Sequence, residues 1–161
     1  MNMLLLILLG FIAGIALTLI IFRRKKVHHE LREVHGDSRA YLQYLCAVVL
    51  GAGSDETSRE FCKIKHLWEI ASTPSEFIAA FQLSDGIAQI AFGDASEMLD
   101  QDILTEIKKT YRIRRNRLLW SIKKTTKDID ISDDSVDKSK RNLLVRYCHM
   151  VKTFPKAWEH C

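Results

Sequence analysis

The run YRIRRNRLLWSIKKTTK, from Tyr111 to Lys127, holds seven lysines or arginines and no acid. Extended back to Lys108, it holds nine bases and still no acid. Cations at this density call for something negative: nucleic-acid phosphates, lipid headgroups or an acidic stretch of protein. On a helical wheel Leu118 and Ile122 join Ile107 and Tyr111 on one stripe. Ile113 and Trp120 fall almost opposite, among Lys109, Arg117 and Lys124. A tryptophan between cations can stack on a base or anchor an interface. The candidate binding residues are therefore Arg112, Arg114, Arg115, Arg117, Trp120, Lys123 and Lys124. The plainer alternative is that Ile113 and Trp120 fill a second helix contact. The bases would then be its wet flank, neutralised by the acids that follow. Nucleic acid is the less favoured anion, because there is no recognition motif and the formal net charge is only +4.

Other chemistry-bearing groups point nowhere so definite. HHELREVH brings His28, His29 and His35 together, but H-E-x-x-H is absent and no third ligand stands at a fixed spacing. Asp94, Glu97, Asp100 and Asp102 crowd an expected helix start, where acids favour the helix dipole. There is no glycine-rich phosphate loop and no G-x-S-x-G. No catalytic residue, no cofactor and no metal are expected. Cys46, Cys62, Cys148 and Cys161 form no C-x-x-C pair. Cys46 and Cys62 read as small core residues, all four in a reducing compartment.

The anchor is read from Met3 to Phe22, MLLLILLGFIAGIALTLIIF, twenty residues with no charge. As a helix it is ~30 Å long, the thickness of a bilayer core. Arg23, Arg24, Lys25 and Lys26 follow at once. A cleaved signal peptide would carry its charge before the apolar run and a small-residue site after it. The positive-inside rule puts the N-terminus outside and residues 27–161 in the cytoplasm, at an inner or cell membrane. Gly10, Gly14 and Thr18 recur every four residues on one face, which suits helix–helix packing and homodimerisation in the membrane.

These residues need elements to hold them. Two prolines and seven glycines in 161 residues favour long helices. The expected fold is all-α: one transmembrane helix, then a cytoplasmic bundle of five or six helices. Gly36 is expected to break the first helix, with Asp37 or Ser38 capping the next. Gly51 to Ser54 ends that one. A helix over about 56–71 presents Phe61, Ile64, Leu67 and Trp68. Thr73, Pro74 and Glu76 read as a capped start, and Ser84-Asp85-Gly86 as a turn. The ambiguous stretch 87–94 is taken as helix. Ser96 is expected to cap a long helix to Lys127, with Ile103 and Leu104 on the apolar stripe noted above. An acidic linker over 127–137 leads to a last helix over 137–152, with Leu143, Leu144, Tyr147 and Val151 on its apolar face. Trp158 is expected to fold back on the core.

Two segments look alike: LCAVVLGAGSDETSREFCKI, Leu45 to Ile64, and IAQIAFGDASEMLDQDILTEI, Ile87 to Ile107. Each is an apolar helix, a small-residue turn with acids, and an acid-rich helix start. Residues 40–112 thus resemble the TerB-like helical domains found in membrane-anchored DjlA-type proteins. No His-Pro-Asp of a J domain is present. The resemblance implies a helical scaffold in a stress or defence assembly, with Asp94 and Glu97 as ion contacts. The expected function is a non-enzymatic, membrane-anchored interaction protein: an accessory, immunity or exclusion, or adaptor subunit. The alternative is a tethered nucleic-acid or anionic-lipid binder that uses residues 108–127.

Overall fold

In a computed structural model the chain is described over residues 3–127 and 131–153; for 3–14, 23–30 and 52 the description covers the backbone alone. The described residues form five helices and no strand: α1 (Met3–Ala52), α2 (Asp55–Ile70), α3 (Pro74–Met98), α4 (Gln101–Thr126) and α5 (Asp133–Thr153). The all-α bundle is as expected, but its helices are longer and its breaks fewer.

The local chemistry of the starts explains α2 and α3. Ser54 caps α2 by accepting from the Thr57 amide. The turn before it needs a glycine, because a Cβ on Gly53 would lie 2.6 Å from the Val49 carbonyl oxygen. Thr73 and Glu76 form the expected capping box on α3, with Pro74 in the first turn.

α3 is the central helix, in contact with all four others. Ala79, Ala80, Ala88, Ala91 and Ala95 are completely covered. Their lack of bulk lets neighbouring helices come close. The other helices supply the large side chains: Tyr41, Leu45 and Val49 from α1, Leu67 from α2, Leu104 and Leu118 from α4, Leu143 from α5.

Several expected breaks are absent. α1 runs unbroken through Gly36, and neither Asp37 nor Ser38 caps a new helix. Buried Val34, Ser38 and Tyr41 hold that segment, so tertiary packing outweighs the ~1 kcal/mol helix penalty of an exposed glycine. Ser84-Asp85-Gly86 is not a turn but the middle of α3. The buried Ser84 hydroxyl donates to the Ala80 carbonyl and accepts from the Trp68 indole, 2.7 and 2.8 Å. Gly93 and Asp94 are helical too, so residues 87–94 are helix as expected, but continuous with what precedes them. Ser96 caps nothing; its hydroxyl bonds back to the Gly93 carbonyl inside α3. α4 starts later, after Asp100, which makes no side-chain cap bond. The acidic linker is shorter than expected, because Asp133 and Asp134 already form the first turn of α5 and Val136 is buried. Ile103 and Leu144 are exposed rather than on an inward stripe.

Cys46 is half-buried and free, and Cys148 is exposed and free. Cys62 is disulfide-bonded, against the expectation of four reduced cysteines. The expectation for Trp158 lies outside the described residues.

Candidate functional site

α4 lies antiparallel against α1, and four contacts set the register. The Tyr44 hydroxyl donates to the Ile107 carbonyl at 2.9 Å, and the Tyr41 and Tyr111 hydroxyls share a hydrogen bond of 3.0 Å. Arg117 pairs with Asp37 at 2.8 Å, where Ser121 also donates to the same carboxylate. Lys124 pairs with Glu33 at 2.8 Å. The C-terminal end of α4 therefore lies nearest the basic stretch Arg23–Lys26 in α1.

On its α3 side, Arg115 grips Asp85 with two nitrogens, at 2.6 and 3.2 Å, and Tyr111 donates to the same carboxylate at 2.7 Å. Burial pushes the Asp85 carboxyl up, but the bonds from Arg115 and Tyr111 and the guanidinium charge outweigh it and hold the group below its usual range. Burial raises both phenols, Tyr41 and Tyr111, so they stay protonated donors.

The seven expected binding residues thus divide. Arg115, Arg117 and Lys124 are spent on α3 and α1. Arg112, Arg114 and Lys123 are exposed and make no ion pair among the described residues. Trp120 is 63% exposed and Ile113 62%. Among the described residues neither fills a second helix contact, because α4 touches only α1 and α3 there. The Lys124 ammonium sits 5.4 Å from the Trp120 ring centre. The outer stripe, Lys109, Ile113, Asn116, Trp120 and Lys123, is accordingly an apolar pair set in cations.

The acids around residue 94 do other work. One Asp94 oxygen accepts from the Ser54 amide and from the Thr57 hydroxyl, both at 3.0 Å, so it closes the start of α2. Those bonds, the amide's first, hold its carboxyl below the usual range. Among the described residues no three His, Cys, Asp or Glu side chains converge as metal ligands. His35 packs edge-on against the Phe77 ring at 5.3 Å.

Two features were not read from the sequence. Glu76, expected only as a cap, also accepts from Arg146 at 2.6 Å and so fastens α5 to α3. A groove of about 560 Å³ runs between α1 and α2, floored by Leu42, Cys46, Phe61 and Trp68, with Arg39 and Lys65 along it. Both join residues far apart in the chain, which no local pattern signals.

Arg23–Lys26, Gly10 and Gly14 have no described side chains; Thr18 is exposed. Among the described residues no helix is long and apolar enough to cross a membrane. Of the run Met3–Phe22, the described side chains are those of residues 15–22. No family model matches the chain, and no curated protein or solved structure matches it.

Proposed function

We propose that this chain is a single-pass, membrane-anchored interaction protein, an accessory, immunity or exclusion, or adaptor subunit whose helical domain faces the cytoplasm. The observation that carries the reading is the stretch from Ile15 to Phe22, where every residue is exposed. Leu17, Leu19 and Phe22 are 63, 60 and 72% exposed, on a helix that no other described element covers there. A helix apolar on all sides needs an apolar surrounding, and a bilayer supplies one. The next residues, Arg23–Lys26, suit the cytoplasmic boundary. The disulfide at Cys62 is what a cytoplasmic placement has to answer, since a reducing compartment opens such bonds.

Fractionation with alkaline carbonate tests the anchor: the full chain is expected to stay in the membrane pellet, and its release would remove the proposal. Labelling Cys148 in intact cells with a membrane-impermeant maleimide tests the side. No labelling is expected, and labelling would invert the topology.

A TerB-like scaffold over residues 40–112 belongs to the same proposal. The helix–turn–helix junctions at 53–54 and 99–100 support it, although the second comes six residues after Gly93. The second reading, a tethered nucleic-acid or anionic-lipid binder, is favoured by the exposed Arg112, Arg114 and Lys123. It predicts binding that falls steeply as salt rises.

A further inference from the structure

We infer that the outer face of α4 receives an acidic amphipathic helix of a partner protein. The inference rests on the adaptor reading and names the partner's chemistry. Ile113 and Trp120 are two turns apart on one side, the spacing of anchors that enter the surface of a facing helix. Lys109, Lys123 and the paired Arg117 and Lys124 flank them on that side, and the last acid of α4 is Glu106. An apolar pair ringed by cations is complementary to leucine-like side chains flanked by carboxylates.

The other occupants fit less well. Trp120 adjoins Ser121, which bonds Asp37, fifteen residues beyond Phe22. At ~1.5 Å per residue that is ~22 Å from the hydrocarbon edge the anchor implies. The headgroup layer adds only ~5–8 Å, and charge is screened within ~8 Å. The apolar pair therefore stands above the leaflet. A second copy of this face would bring cations against cations. A nucleic-acid strand would stack on the indole, but Lys124 already lies over that ring and Ile113 offers a strand nothing.

The test uses the full chain in phosphatidylcholine nanodiscs, whose surface carries no net charge. The probe is a fluorescent synthetic helix rich in glutamate, with two leucines seven residues apart, read by anisotropy. The inference expects binding that is lost when lysine replaces the glutamates and weakened when alanine replaces the leucines. Trp120→Ala, at an exposed site that leaves the fold intact, is expected to weaken binding about 30-fold, the effect of a central anchor. Lys123→Glu is expected to weaken it about 10-fold. Equal binding of the leucine-free helix, no effect of Trp120→Ala, or no binding of the probe would overturn the inference. So would tighter binding of a single-stranded oligonucleotide, or of vesicles containing phosphatidylglycerol. Any of these leaves the adaptor reading standing if the chain stays in the carbonate pellet and crosslinks to a partner through another face.

Discussion

Arg114 and Arg115 are adjacent in the chain, and α4 turns them in different directions. Arg115 reaches Asp85 of α3, and Tyr111 and Tyr41 extend that half-buried pair into the bundle. Arg114 is exposed to solvent and makes no ion pair among the described residues. The same division separates Leu118, fully buried, from Trp120, mostly exposed. A run of like residues therefore holds two surfaces with different duties. One fixes the helix in the domain; the other is free to meet something else. Composition cannot separate them, but angular position around the helix can.

The largest effect expected on the inner surface is from Leu118→Ala, which should cost about 3 kcal/mol of stability by leaving a cavity. Urea denaturation of the detergent-solubilised full chain would measure it, and a loss below 1 kcal/mol would mean that α4 is not seated as described. Asp85→Ala comes next, at about 2 kcal/mol, because it strands Arg115 and Tyr111 without their acceptor.

The same carboxylate gives a pH dependence. Its folded-state pKa is lowered. Its contribution is therefore present above the unfolded value near ~4 and is lost as pH falls through the lowered one. Acid titration of stability below about pH 4 should be shallower in Asp85→Ala than in the native chain. Identical acid limbs would contradict the assignment.

Arg117→Ala is expected to cost less than about 1 kcal/mol, since the Arg117 side chain is 70% exposed and Asp37 keeps its bond from Ser121. Smallest are Trp120→Ala and Arg114→Ala, each within about 0.5 kcal/mol. A large loss at either site would erase the contrast and make the outer surface structural.

What was legible in the sequence was local. Ser54 was read within the loop that ends α1, and Thr73 and Glu76 as a start, because a cap bonds amides two or three residues away. The wheel placed Leu118 and Trp120 on opposite sides correctly. What failed was punctuation. Gly36, Gly86 and Gly93 look like stops, yet each sits exposed on a helix whose other sides are buried by neighbours. Packing of α3 against the four other helices outweighs a propensity that is worth only ~1 kcal/mol. The division of the bases was equally hidden. Arg115 meets a residue 30 positions away and Lys124 one 91 positions away. Nothing within α4 says which base has such a partner.

The unbroken course of α1 has a mechanical consequence. A helix without a joint carries rotation as well as position, so the azimuth of Gly10 and Gly14 in the proposed anchor sets the compass bearing of α4. One alanine inserted near residue 28 would turn the domain by ~100° about the shared axis and lift it by ~1.5 Å. Seven inserted residues would return the bearing to within ~20° while raising the domain by ~10 Å. If the anchor pairs with another span while α4 holds its partner, coupling between the two should vanish with one inserted residue and return with seven. A flexible tether would be indifferent to both.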